Sequence, residues 1–226
     1  MAFRVSRPLT YSNRFGEQQS ASGGLFQLHQ ITFADNAIQG DPIRALVELI
    51  TNCDDAYNKL PPGLAREACP IEISVCEDGP AQYLTISDRA VGMDGSRMDL
   101  ALGSYTSATS TGADRGYFGR GLKDGILALG DGEVVSVMNG AVHRAWLGIR
   151  GGQPYYEAQQ PTDTPREVSG APEPSGTTVR IHVNRPDVLP PTYRNLERQI
   201  PFHFMLRGIR DDVQVRRHMK YAGDAL

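Results

Sequence analysis

The chain has 226 residues, enough for one large domain or one domain with an appendage, and its 40% apolar and 22% charged content suits a soluble globular protein with a sizeable core. A net charge of −3 excludes a global pull toward nucleic acid or an acidic membrane surface. Cys53, Cys69 and Cys76 are odd in number and lack metal-ligand spacing, no apolar run approaches the ~18 residues of a membrane span, and MAFRVSRPLT has no signal-peptide core, so the expected location is cytoplasmic.

Residues 1–40 read as a polar N-terminal arm with one strand or short helix at most. Asp41–Lys59 follows, with Asp41 as N-cap, Pro42 in the first turn and apolar residues at Ile43, Leu46, Val47, Ile50 and Tyr57, which together predict an amphipathic helix. LPPG at 60–63 ends it. Ile71–Cys76 alternates apolar and polar residues as a half-buried strand does, EDGPAQ makes a turn, and Tyr83–Ser87 returns as the partner strand. A short helix is expected over Gly95–Leu102. Residues 103–116 are rich in Ser, Thr and Gly, the composition of a mobile loop or lid.

GYFGRGLK (116–123) leads into an apolar helix, Asp124–Leu129, followed by strands over 133–138 and 142–149. Residues 150–176, rich in Pro and Gly, read as a surface excursion, and SGTTVRIHV (175–183) as a strand. A basic helix over Tyr193–Arg207 and a strand over Asp212–Arg216 complete the expectation. From Arg194 to Lys220 there are seven Lys/Arg against three Asp/Glu; a solvated basic helix is the expected account, and nucleic-acid binding is without other support. No clear end signal closes the chain, so an output domain or partner beyond residue 226 is allowed for.

Three features carry chemistry. At about 100° per residue, Glu48, Asn52 and Asp55 share one face of the first helix, opposite the apolar stripe. A solvated surface would explain such a row, but mid-helix Asn carries a small cost, and Ala45, Leu49 and Ala56 flank the row. A Glu and an Asn one turn apart suit a water-activating base beside an oxygen ligand for magnesium. Glycines before a helix with Lys123 in its first turn make either a polyphosphate cradle or an ordinary helix-entry loop. Asp88, at a strand end, is by itself a turn residue, and Thr177 by itself a strand residue.

In order and spacing these segments resemble the GHKL (Bergerat-fold) ATPases: gyrase B, MutL, the large heat-shock chaperones, the MORC proteins and, more distantly, sensor histidine kinases. Glu48–Ala56 resembles the ExxxNxxDA helix, Asp88–Met93 the DxGxG box, Gly116–Lys123 the second glycine box, and Gly176-Thr177 the last box; the wording GRGLKDG is closest to MORC-like members. The resemblance covers about residues 40–185. It implies an α/β (α+β) two-layer sandwich, with helices over one face of a mixed, mainly antiparallel sheet and a lid over 103–121. It divides the chain into the arm (1–40), an ATP-binding domain (41–190) and a basic C-terminal segment (191–226), possible start of a further domain.

The resemblance also implies roles. Glu48 would be the general base and Asn52 the magnesium ligand, with Asp55 in support. Asp88 would accept from the adenine amine, backed by Thr177 directly or through a water; Gly92 would let the backbone pass under the base, with Met93 packing on it. Gly119, Arg120, Gly121, Leu122 and Lys123 would close on the phosphates, Lys123 as a catalytic point charge, with Lys59 a weaker phosphate candidate. Ala90 departs from the family glycine: it costs about 1 kcal/mol at positive φ and almost nothing at negative φ. None of the five His has a histidine-kinase setting.

The expected function is binding of ATP with Mg2+ and slow hydrolysis, driving lid closure and an ATP-dependent homodimer through the arm, whose Phe15, Leu25, Phe26, Leu28 and Ile31 have no obvious partner. The alternative is a nucleotide-sensing module without significant turnover.

Overall fold

The computed structural model describes residues 4–8, 10–12, 18–20, 38–60, 70–76, 82–103, 121–150, 153–159 and 175–218. Helix α1 (Pro42–Tyr57) forms for the reasons its sequence suggests. Asp41 is extended, its Oδ1 accepts from Ile43 N at 2.9 Å, and Pro42 opens the first turn. Ile43, Leu46, Val47, Ile50 and Tyr57 are all buried. Each fully buried Leu or Ile contributes about 1.5–3 kcal/mol, so this stripe is the main anchor of the helix.

Two more helices join α1 in one layer: α2 (Gly95–Gly103) and α3 (Gly121–Leu129). A Cβ on Gly125 would sit 3.4 Å from Ala45 O and from Leu49 Cδ2, so α1 and α3 approach closely where both carry small or flexible residues. That contact accounts for Ala45 and Leu49 beside the polar row: they meet a helix, not water. Glu48, Asn52 and Asp55 are themselves half-buried.

Beneath the helices lies an eight-stranded sheet. Its strands are β1 (Arg4–Pro8), β4 (Ile71–Cys76), β5 (Tyr83–Asp88), β6 (Gly130–Met138), β7 (Ala141–Arg150), β8 (Gln153–Gln159), β9 (Gly176–Val183) and β10 (Val213–His218). A separate antiparallel pair is formed by β2 (Thr10–Ser12) and β3 (Gln18–Ser20). The main sheet runs β1-β8-β7-β6-β9-β5-β4-β10, antiparallel throughout except that β10 pairs parallel with β4. The architecture is therefore an α/β two-layer sandwich on a mixed, mainly antiparallel sheet. Inward residues such as Ile73, Ile86, Val134, Leu147 and Ile181 form one core with the helices. Among the described residues no helix is long and apolar enough to cross a membrane.

Several expectations need correction. The arm holds three strands, and β1 extends the main sheet by pairing with β8. Strand β8 itself lies in what was expected to be a surface excursion; the Gly and Pro around it hid a short strand whose Tyr156 is buried and donates to Asp99 Oδ1 at 2.7 Å. The C-terminal helix, α4 (Tyr193–Gln199), stops well before Arg207: Ile200 keeps helical φ and ψ, but Pro201 has no N–H with which to continue the ladder. Leu196, Ile200, Leu206 and Ile209 bury into the common core and β10 joins the sheet, so residues 191–218 pack as part of this domain. Helix α3 begins at Gly121, three residues earlier than expected. The lid residues 104–120 and the arm residues Phe15, Leu25, Phe26, Leu28 and Ile31 lie outside the described residues.

Candidate functional site

Sheet register brings Asp88, Thr177 and Ser136 into one row across β5, β9 and β6, with Asp88 opposite Thr177 and Thr177 opposite Ser136. Asp88 is 3% exposed. Its Oδ1 accepts from Ala90 N at 2.9 Å and Thr177 N at 3.2 Å. The Cys53 thiol, from α1, also donates to Asp88. Burial pushes the Asp88 carboxyl up to about 6, although the two backbone N–H groups and the thiol each favour its charged form. The Cys53 thiol is itself pushed well above its usual range, first by burial and then by the charge of Asp88, so it acts here as a hydrogen-bond donor and not as a nucleophile.

The loop after β5 is shaped by close backbone approach. Gly92 has φ +69°, and a Cβ there would lie 2.0 Å from Val137 O, so no other residue fits without moving β6. Gly176, at φ +129°, has the same constraint against Asp88 O at 2.2 Å. Ala90 is different. The described non-glycine residues at positive φ are Gln39 and Asn139, so Ala90 is free of left-handed strain, and its N–H is one of the two that hold Asp88. Met93 N donates to Ser136 Oγ at 2.7 Å, Ser175 Oγ to Ala90 O at 2.7 Å, and Arg89 N to Tyr57 Oη at 2.9 Å. The base of the loop is thus pinned to β6, β9 and the end of α1.

A second cluster lies where α1 meets the N-terminus of α3. A Cβ on Gly121 would stand 2.9 Å from Glu48 Oε2 and 3.5 Å from Asn52 Nδ2, so the glycine lets the helix start settle onto both side chains. Burial raises the Glu48 carboxyl. Among the described residues, Asn52 Nδ2 is shielded from solvent and has no hydrogen-bond partner. A buried donor left so costs about 1–3 kcal/mol, which an acceptor oxygen from a ligand would remove. Among the described residues no group of three or more His, Cys, Asp or Glu side chains is placed to hold a metal ion. Magnesium asks for less: one or two protein oxygens, with phosphate and water filling its shell, and Asn52 beside Glu48 fits that.

Neither models of known protein families nor curated proteins match this chain.

Of the residues singled out in the sequence, Asp88, Gly92, Met93 and Thr177 gather at the β5 end, and Glu48, Asn52 and Gly121 at the start of α3. Thr177 supports Asp88 through its backbone N–H, while its hydroxyl lies 2.9 Å from Ser136 Oγ, so no bridging water is required between them. Asp55 is half-buried one turn beyond Asn52, Leu122 packs on the core, and Lys59 is exposed. Lys123 is fully buried, at 0% exposure. Gly119 and Arg120 lie outside the described residues. Sequence reasoning missed Cys53, Tyr57 and Ser136 as parts of the site. For Ser136 a signal existed: it is a polar residue at an inward position of an otherwise apolar alternating strand.

Because Asp88 titrates higher in the fold than the ~3.9 of a free side chain, the native state binds the extra proton between about pH 4 and 6. Stability from this group is complete below pH 4 and is lost as pH rises through 6, by about 3 kcal/mol at most. Glu48 acts in the same direction. Denaturant unfolding at pH 5 and pH 8 should show a larger loss in the wild type than in Asp88→Asn; equal losses would mean that Asp88 titrates normally.

Proposed function

We propose that the chain is a GHKL-type ATP-binding domain that binds Mg-ATP and slowly hydrolyses it to ADP and phosphate, with lid closure and association of two copies in the ATP-bound form. The observation that carries this reading is the double use of α1. Adjacent residues on one helix serve two clusters: Asn52 offers a buried Nδ2 beside the start of α3 that has no partner among the described residues, and Cys53 donates to a buried carboxylate at the end of β5. An adenine base and a phosphate chain differ in the same way, one end asking for an acceptor and the other for donors and positive charge.

In this reading Asp88 accepts from the exocyclic amine, Gly92 and Met93 form the floor under the base, and Asn52 holds the cation that neutralises the phosphates. Glu48 takes a proton from the attacking water, its burial having brought it closer to neutral pH than an exposed Glu. Gly119, Arg120, Gly121 and Leu122 close on the phosphates through backbone N–H groups, and Asp55 supports Asn52. The free thiols Cys53 and Cys76 are in keeping with a cytoplasmic location.

One observation favours the second reading, a sensor that binds nucleotide without significant turnover: Lys123, the point charge expected at the terminal phosphate, is fully buried. Calorimetry of the intact chain with ATP and magnesium tests what the two readings share. Saturable binding of ATP is expected; no heat with ATP or ADP at any magnesium concentration would overturn both.

A further inference from the structure

Ser136 is 0% exposed, and its hydroxyl has three partners: Met93 N at 2.7 Å, Gly176 O at 3.0 Å and Thr177 Oγ1 at 2.9 Å. Counting hydrogens sets the direction of each bond. The Met93 N–H can only donate, and the Gly176 carbonyl can only accept. Ser136 has a single hydrogen, and the carbonyl takes it. With the carbonyl as acceptor of that hydrogen, the bond between the two hydroxyls uses the hydrogen of Thr177. Thr177 Oγ1 then has only lone pairs left to offer. Its N–H is also committed, to Asp88 Oδ1, and Asp88 when ionised is an acceptor only. Thr177 remains partly exposed beside buried Asp88. Among the described residues, this row thus presents acceptors and no free donor.

We propose that Ser136 is a specificity-determining residue: by holding the hydrogen of Thr177 it keeps this row acceptor-only, so the site takes a purine with an amine at position 6 and rejects one with a carbonyl there. The proposal rests on the nucleotide reading of the same site and adds a residue from β6, outside every motif that suggested that reading. A hydroxyl free to rotate would accept from an amine or donate to a carbonyl and would discriminate poorly. Sites built to use a substrate's polar group reject analogues strongly only when no partner can turn to suit the analogue.

The test is the affinity of the intact chain for ADP and for inosine diphosphate, which differ at position 6 of the base, at pH 8 where Asp88 is ionised. The wild type should prefer ADP about 100-fold or more. Ser136→Ala should cut that preference about 10-fold, because the freed Thr177 hydroxyl can turn to the carbonyl, and Thr177→Val added to Ser136→Ala should abolish the gain for inosine diphosphate. Ser136→Cys, close in size but a weak hydrogen-bonding group, should move the ratio the same way and guards against an alanine variant that fails to fold. If Ser136→Ala or Ser136→Cys weakens both diphosphates by the same factor, Ser136 is only a structural support and the proposal is wrong. A wild type that binds neither diphosphate would instead overturn the nucleotide reading beneath it.

Discussion

Asp88→Asn should weaken ATP binding by about 30- to 1,000-fold, the equivalent of about 2–4 kcal/mol for losing a buried, charge-assisted hydrogen bond and leaving a donor facing a donor. The fold should survive the change. The Asn oxygen can still accept from Ala90 N and Thr177 N, the two bonds that tie the β5 end to β9. What changes is the other atom of the group: an NH2 replaces the second oxygen, so an incoming amine meets a donor. Calorimetry should therefore show lost affinity, while thermal unfolding at pH 8 shows a stability equal to or above that of the wild type. Unchanged affinity would remove Asp88 from the site.

Glu48→Ala should leave ATP bound and reduce its hydrolysis about 100-fold or more, the scale for loss of a positioned general base. Glu48 is the carboxylate closest to Gly121 at the start of α3, and burial has raised its proton affinity. Removing it also opens space beside Asn52, so affinity for ATP should hold or improve through lost repulsion between a carboxylate and the phosphates. Phosphate release under single-turnover conditions separates the two effects. A wild type without magnesium-dependent turnover, even at high protein concentration, would decide for the sensor reading; a Glu48→Ala variant as fast as the wild type would place the base elsewhere.

Local chemistry made much of this protein legible in advance. The cap at Asp41, the 3.6-residue stripe of α1 and the period-two alternation of β4, β5 and β9 are properties of neighbouring residues, and each element lies where its own sequence places it. The order of the polar row, Asp88 and the late glycine-threonine pair was legible for the same reason. Strand β8 was not, because its seven residues, Pro154 among them, have no pattern of their own until β7 and β1 pair on both sides. Nor was the fate of 191–218, where burial of Leu196, Leu206 and Ile209 depends on a surface supplied by the rest of the core.

The row of Asp88, Thr177 and Ser136 belongs wholly to tertiary structure. Its members stand far apart in the chain, and only the antiparallel register of β5, β9 and β6 sets them side by side. The same register decides that Ala90 is tolerated where a glycine was expected, that Gly92 and Gly176 are not replaceable, and that the hydroxyl of Thr177 faces Ser136 and not Asp88. Residue types told what chemistry was available. Which hydrogen points where is a matter of pairing across the sheet, and no periodicity along one segment contains it.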